Sequence, residues 1–174
     1  MNRIDVINEL IERNGYTTYL EIGVHKGECF EAVRARVKAC VDPCSEFPAT
    51  HKMTSDEFFA TNTERYDIVF IDGLHEKYQV LRDVEHALQR LNDGGTIVLH
   101  DCSPPDARAA QRDDYGGVWC GTVYQAAILL KARPDIHVRV LDCDLGVGIV
   151  TPVGFEEFSR NREALIGLVP EDEL

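Results

Sequence analysis

The stretch from Asp67 to Cys102, DIVFIDGLHEKYQVLRDVEHALQRLNDGGTIVLHDC, decides the fold of this chain. Its two apolar runs, Ile68–Ile71 and Thr96–Leu99, are short, β-branched and unalternating, as in strands that are covered on both faces. Between them apolar residues recur at helical spacing, and the segment 92–95 (Asn-Asp-Gly-Gly) ends that helix. The pattern predicts a β-α-β unit, in which the two strands are parallel and the crossover is right-handed.

Charged residues follow each of these two predicted strands. Asp72 and His75 come after the first strand, and His100 and Asp101 come directly after the second. Both groups therefore fall at the carboxyl ends of neighbouring parallel strands, where open α/β sheets bind ligands. A single acid or histidine in such a place is usually a cap or a loop residue, but the recurrence at two adjacent strands favours a functional site.

Length and composition indicate one globular domain over residues 1–174. The chain is 44% hydrophobic and 28% charged, and its net charge of −12 argues against nucleic acid as a partner. It contains no apolar run of the roughly 20 residues that a membrane span needs. Residues 1–15 form an amphipathic helix pattern rather than a signal peptide, and the six cysteines form no C-x-x-C pair. These features predict a cytoplasmic protein with reduced thiols.

The amino-terminal half has a sequence pattern that is typical of a nucleoside-binding site. Residues 16–22 predict the first strand, a helix is expected over 28–38, and a short second strand over 39–41 ends at Asp42. Gly23 would let the backbone approach a ligand closely, and an acid at the end of the second strand can accept both ribose hydroxyls. The spacing E-x-G-x-x-x-G differs from the dinucleotide pattern G-x-G-x-x-G, so a nicotinamide-dependent oxidoreductase ranks low.

Three further segments complete the prediction. Residues 51–53 predict a short third strand, and Ser55 and Asp56, which follow it, fit a helix cap and a contact with a nucleobase equally well. The polar segment 103–117 is too long for a simple connector and is interpreted as an active-site loop. Residues 136–141 and 147–150 predict an antiparallel hairpin at one sheet edge, and the charged tail from Pro152 is expected to form a surface helix.

Two of these motifs carry a family resemblance. The segment 19–27 (YLEIGVHKG) and the run 70–105 (FIDGLHEKYQVLRDVEHALQRLNDGGTIVLHDCSPP) resemble the class I S-adenosylmethionine-dependent methyltransferases. The similarity is to a branch of small bacterial members that resemble metal-dependent O-methyltransferases. It implies an α/β fold with a Rossmann-like, doubly wound, seven-stranded sheet of order 3-2-1-4-5-7-6, in which strand 7 is antiparallel.

The resemblance also implies roles for individual residues. The expected contacts with S-adenosylmethionine come from Glu21, Gly23, Asp42, Ser55, Asp56 and Asp72. A divalent cation, Mg²⁺ or another metal, would bind Asp72, His100 and Asp101. His100 departs from the family pattern, and a histidine beside carboxylates favours a transition metal over Mg²⁺. His75 takes the place of the general base, for which an imidazole that titrates near neutrality is suited.

Together these features predict methylation of a hydroxyl group on a sugar or another small polar metabolite, with metal assistance. No nucleic-acid or membrane partner is expected, and a homodimer is predicted. Two alternatives remain open: a metal-independent methyltransferase of the same fold, and a protein that binds the cofactor without catalysing a reaction. Metal dependence of turnover would separate the first alternative from the main prediction.

Overall fold

The computed structural model describes residues 1–154, which form a six-stranded sheet between two layers of helices. In chain order the elements are α1 (Arg3–Asn14), β1 (Thr18–Ile22), α2 (Glu28–Ala32), β2 (Val37–Val41), α3 (Ser55–Thr61), β3 (Tyr66–Ile71), α4 (Lys77–Arg90), β4 (Leu91–Leu99), α5 (Val123–Lys131), β5 (Ile136–Leu141) and β6 (Val147–Pro152).

The sheet order is β2-β1-β3-β4-β6-β5. The first four strands in this order are mutually parallel, whereas β6 pairs antiparallel with both β4 and β5. The predicted β-α-β unit is therefore confirmed as β3-α4-β4, and the predicted hairpin is confirmed as β5-β6. The α/β class and the single antiparallel strand inside the sheet agree with the expectation.

Each central strand is buried on both faces because its side chains alternate between two cores. Val69 and Ile71 of β3 join the core formed with α3, α4 and α5, whereas Ile68 and Phe70 join the core formed with α1 and α2. The unalternating apolar run of β3 thus supplies two cores at once. Helix α1 begins with a reciprocal capping box between Asn2 and Asp5, which satisfies free N–H groups of its first turn.

Two expectations about the amino-terminal half were wrong. Within residues 1–154 the sheet has six strands and not the expected seven, because the expected third strand is reduced to one parallel bridge between His51 and Val41. The expected helix over 28–38 ends at Ala32, since Val33 is already extended and β2 begins at Val37. The β-branched residues at 33 and 37 favour extended backbone over helix.

The described residues contain no helix that is long and apolar enough to cross a membrane. The surface helix predicted beyond Pro152 falls on residues 155–174, outside the described part of the chain, and Pro152 itself ends β6.

Candidate active site

The carboxyl ends of the parallel strands are joined by backbone hydrogen bonds that continue beyond the strands. Gly23 N–H donates to the carbonyl of Val41, Asp72 N–H to that of Ile22, and His100 N–H to that of Ile71, at 2.8–3.2 Å. These bonds place the residues that follow β1, β3 and β4 in one row along the sheet edge. The predicted side chains therefore converge because of strand order rather than proximity in sequence.

Asp72, His75 and Asp101 form a compact group in this row. Their ligand atoms all lie within 4.8 Å of one another. The Nε2 atom of His75 is 3.5 Å from Oδ1 of Asp72 and 3.3 Å from Oδ2 of Asp101. Two carboxylates and an imidazole nitrogen at this separation form a set that can hold a divalent cation or receive a proton.

The orientation of His75 is set by the backbone behind it. Its Nδ1 atom lies 3.2 Å from the carbonyl oxygen of Trp119, and its ring stacks on the Trp119 indole with centroids 4.8 Å apart. A carbonyl oxygen only accepts, so Nδ1 carries the proton in the neutral ring. The lone pair of neutral His75 is then on Nε2, directed at the two carboxylates, as a general base or a metal ligand requires.

The imidazole of His100 lies on the same two carboxylates. Its Nδ1 atom is 3.3 Å from Oδ1 of Asp72 and 3.3 Å from Oδ2 of Asp101. Burial alone would lower the pKa of His100, but the hydrogen bonds to Asp101 and Asp72 raise it to about 10. His100 is therefore an imidazolium at neutral pH. Burial would raise the pKa of Asp72, yet its bonds to His100 and His75 hold that pKa near 2.

Asp101 carries an unsatisfied acceptor at the centre of the site. Its Oδ1 atom is buried and has no hydrogen-bond partner among the described residues. The backbone of Asp101 is left-handed, with φ of 58°, which is unusual for a residue with a side chain. Strained backbone and an orphaned buried oxygen are both costly, and both occur where a ligand is to be bound. The oxygen fits a cation or a hydroxyl donor.

Arg3 enters the site from the first turn of α1, and the sequence analysis did not predict this. Its Nη1 atom is 3.0 Å from Oδ2 of Asp144 and 3.3 Å from Nε2 of His100, and its Nε atom is 3.9 Å from Oδ2 of Asp72. Asp144 lies in the β5-β6 turn, where Asp144 and Leu145 both have left-handed backbone. One signal in the sequence was available: a cation in the first turn of a helix opposes the helix dipole.

The glycine turn after β1 is packed directly against Asp72. Gly23 has φ of 85°, and a Cβ atom on it would lie 2.2 Å from the carbonyl oxygen of Asp72. Asp42, at the end of β2, accepts hydrogen bonds from the N–H groups of Val24, His25 and Cys44. Burial would raise the pKa of Asp42, but these backbone donors lower it below its usual value. Asp42 is thus an anion that supports the turn.

Glu21 lies beneath the row, inside the protein. Its side chain is 1% exposed and accepts a hydrogen bond of 2.5 Å from the hydroxyl of Tyr19. Burial raises the pKa of Glu21 to about 8 against the lowering effect of the Tyr19 bond, and the charge of Asp72 raises it further. The carboxyl group is therefore protonated in a large fraction of molecules at neutral pH.

Ser55 and Asp56 are not brought into contact with this group. The helix cap expected in this segment is present: Thr54 caps α3 and forms a capping box with Glu57, and Ser55 and Asp56 lie in the first turn that follows. The Ser55 and Asp56 side chains accept from the Nε2 atom of Gln79 in α4, each at 3.2 Å. Their expected contact with a nucleobase stays a prediction.

The segment 103–117, expected to be an active-site loop, forms turns and bends without a helix or strand. The residues between this segment and α5 place Trp119 on the His75 ring and Gly121 against the His75 backbone. A Cβ on Gly121, which has φ of 57°, would lie 2.1 Å from the carbonyl oxygen of His75. The loop and the predicted base are therefore packed against each other, at positions far apart in sequence.

Comparison with known proteins finds a matching family model and several similar solved structures. A family model described as a methyltransferase domain matches residues 6–102. Among solved structures, the Staphylococcus aureus protein provisionally assigned as a caffeoyl-CoA O-methyltransferase is 17% identical, with 88% of this chain and 85% of that chain covered and a TM-score of 0.68. The Bacillus cereus O-methyltransferase in complex with SAH is 14% identical, with 87% and 80% covered and a TM-score of 0.62.

A third similar structure is the O-methyltransferase TomG from Streptomyces achromogenes, involved in tomaymycin synthesis and solved in complex with SAM. It is 14% identical, with 87% of this chain and 80% of that chain covered and a TM-score of 0.64. At these identities the likeness establishes the shared fold. Among curated proteins, none gives a significant sequence match to this chain.

Proposed function

Because the chain belongs to the class I S-adenosylmethionine-dependent methyltransferase family, we propose that it transfers the methyl group of S-adenosylmethionine to a hydroxyl of a small polar acceptor. The acceptor hydroxyl would lie against Asp101, with His75 as its general base and a divalent cation on Asp72 and Asp101. The whole chain, 1–174, would act as one methyltransferase domain. A cytoplasmic location and a homodimer stay predictions.

The observation that carries this proposal is the convergence of Asp72, His75 and Asp101. Neutral His75 directs Nε2 toward Asp72 and Asp101, because the Trp119 carbonyl accepts the proton on Nδ1, and this supports a hydroxyl bound between these groups. The unpaired Oδ1 of Asp101 can accept from that hydroxyl or bind a cation. When bound, the cofactor supplies an electrophilic methyl group and the cation lowers the pKa of the hydroxyl. His75 would take the hydroxyl proton as the methyl group passes from the cofactor sulfur, which would keep the electron pair of the broken bond, to the hydroxyl oxygen.

His100 has a supporting role in this proposal. To bind a cation it would have to lose a proton from a ring whose pKa is about 10, together with its contacts to two carboxylates. We propose that His100 instead orients Asp72 and Asp101 as a hydrogen-bond donor. The cation then depends on the two carboxylates of Asp72 and Asp101, and Nε2 of His75 stays free to act as the base.

Cofactor binding is supported by the row of residues after β1 and β2. Gly23 allows close approach at the strand end, and Asp42 is held as an anion beside it. The similar Bacillus cereus and Streptomyces achromogenes enzymes are complexes with SAH and SAM. We propose the same ligand here, with Gly23, Asp42 and Asp72 as its nearest contacts and with Ser55 and Asp56 toward the nucleobase, while Glu21 would support this row from beneath.

The test is calorimetric titration of S-adenosylhomocysteine into chelator-treated protein, with and without Mg²⁺ or Mn²⁺. We expect micromolar binding, which corresponds to about −8 kcal/mol, and a separate heat for the metal. The metal heat should disappear in Asp101→Asn, a change that keeps the side-chain shape and suits the left-handed backbone. Asp93→Asn, at an exposed position of β4, is the matched control and should retain the metal heat. Absence of S-adenosylhomocysteine binding under every condition would contradict the proposal.

A second candidate, a metal-independent methyltransferase, is favoured by the charges around the site. Three carboxylates, on Asp72, Asp101 and Asp144, face two cationic groups, on His100 and Arg3, and the imidazole of His75. The protein thereby supplies its own positive charge beside the carboxylates. Full turnover by chelator-treated protein, with no gain on adding metal, would establish this candidate and exclude metal assistance.

A further inference from the structure

A cavity of about 360 Å³ begins at Glu76, the residue that follows the candidate base. Its lining residues belong to the start of α4, the segment 103–117 and the start of α5: Glu76, Lys77, Tyr78, Arg112, Thr122 and Gln125. The cavity brings together two cations, one phenol ring, one hydroxyl and one amide. None of these side chains takes part in the proposed methyl transfer.

The two cations of this cavity have no carboxylate partner. Among residues 1–154, neither the Lys77 ammonium nor the Arg112 guanidinium forms an ion pair, although the chain as a whole carries a net charge of −12. The acid of the cavity, Glu76, directs its carboxylate to the N–H groups of Tyr78 and Gln79, at 2.9 and 3.1 Å, where it caps α4. The charge that the cavity offers to a ligand is therefore positive.

The cavity is tied to the catalytic group through Thr122. Thr122 N–H donates to the carbonyl of His75, and the Thr122 hydroxyl accepts from the N–H of Lys77, at 3.0 and 2.8 Å. A molecule that occupies the cavity lies against the same short segment that carries His75. The loop 103–117 supplies Arg112, which gives that loop a role in binding.

We propose that this cavity binds an oxyanion of the methyl acceptor, so that the acceptor is a small molecule with both a hydroxyl and a carboxylate or phosphate group. Lys77 and Arg112 bind the anionic group, and Thr122 and Gln125 donate further hydrogen bonds. The acceptor hydroxyl is thereby held near His75. This inference rests on the proposed function in taking the anion as part of the methyl acceptor, whereas anion binding itself is independent of catalysis.

Trp119 provides a direct signal for occupation of the cavity. It is the single tryptophan of the chain, and its indole N–H donates to the carbonyl of Gln111, the neighbour of Arg112. Binding at Arg112 should therefore change the tryptophan fluorescence. Suitable probes are transparent pairs that differ in charge: lactate with lactamide, and glycerol 3-phosphate with glycerol. The first pair tests a carboxylate, and the second tests a phosphate.

We expect saturable binding of at least one anionic probe, about tenfold tighter than its neutral partner. The double variant Lys77→Gln with Arg112→Gln should lose this preference and bind the neutral probe unchanged. The matched control is Lys52→Gln with Arg108→Gln, which removes the same charge. Lys52 is exposed, and Arg108 belongs to the same loop but lies over the Tyr115 ring at 4.2 Å, outside the cavity.

Three outcomes are distinguishable. Equal affinity for the charged and neutral members of both pairs, or equal affinity of wild type and double variant for the anions, would overturn the inference. Loss of anion binding in the control variant would also overturn it, because the effect would then be one of overall charge. Anion binding that persists in a protein unable to bind S-adenosylhomocysteine would leave the anion site standing and refute the proposed function alone.

Discussion

Both nitrogen atoms of the His75 ring face polar groups of the protein. The Trp119 carbonyl accepts from Nδ1, and the carboxylates of Asp72 and Asp101 face Nε2. Burial would lower the pKa of His75, but the hydrogen bond that its ring donates to Asp72 and the charges of Asp101 and Asp72 raise that pKa above the ordinary value of 6.5. In the absence of a cation the ring is therefore charged at a higher pH than a free histidine is.

The first prediction concerns this side chain. His75→Gln removes the proton acceptor while leaving a polar group of similar length, and we expect the methyl-transfer rate to fall by about 10² to 10⁴. Binding of S-adenosylhomocysteine should be unchanged. Steady-state kinetics together with calorimetry measure the two quantities, and His137→Gln, at an exposed position of β5, is the matched control.

The pH dependence of the methyl-transfer rate shows whether His75 must be neutral to act as the base. His75 can accept a proton only when neutral, so the rate in wild type should rise as pH increases through the raised pKa, above 6.5. His75→Gln should lack that rising limb. A variant that retains both the rate and the limb would assign the base to another group.

At the scale of elements, the turn between β1 and α2 depends on one close approach. Gly23 lies so near the Asp72 carbonyl that no Cβ fits, and its φ of 85° is in the left-handed region. Gly94, before the apolar part of β4, also has a left-handed φ, of 75°, but a Cβ on it would meet no atom within 4 Å. Both positions have left-handed backbone, but only Gly94 leaves room for a Cβ atom.

The second prediction uses that difference. Gly94→Ala should lower the free energy of unfolding by about 1–2 kcal/mol, the cost of left-handed backbone. Gly23→Ala should cost roughly 3 kcal/mol or more, because the strands must separate to admit the methyl group. Urea unfolding measures both values. Equal losses in the two variants would show that the contact between Gly23 and Asp72 does not constrain the turn.

The early end of α2 is accompanied by a contact with the next strand. Lys38 donates through Nζ to the carbonyls of Phe30 and Val33 at the end of α2, at 2.5 and 3.1 Å. The side chain of a residue in β2 thus completes the end of α2. A contact between two successive elements cannot be read from periodicity, which describes only one element at a time.

At the scale of the whole molecule, two segments that are far apart in the sequence meet at the site. Arg3 belongs to the first turn of α1, and Asp144 lies 141 residues later in the β5-β6 turn. Their ion pair is partly buried, with 30% and 20% of the side chains exposed. The pair joins α1 to the sheet and holds Arg3 beside His100 and Asp72, so docking of the helix and assembly of the site are coupled.

The third prediction is a double-mutant cycle on this pair. Arg3→Gln and Asp144→Asn should be non-additive in the free energy of unfolding by about 1–3 kcal/mol. Arg13→Gln and Glu9→Gln, on the same helix, are the control cycle. Those two side chains are 74% and 54% exposed, and their coupling should be about 0.3–0.5 kcal/mol. Equal coupling in the two cycles would show that Arg3 and Asp144 form an ordinary surface pair.

The sequence by itself determined the β-α-β unit and the convergence of Asp72, His75, His100 and Asp101, whereas the strand order was expected only from the family resemblance. The unit and the convergence follow from local patterns: the apolar runs fix the strands, and parallel pairing brings the residues after them to one edge. Only the tertiary structure decided which nitrogen of His75 faces the carboxylates, and that Arg3, Trp119 and Asp144 complete the site. Those contacts join residues more than forty positions apart, and their geometry depends on packing between elements that no local pattern records.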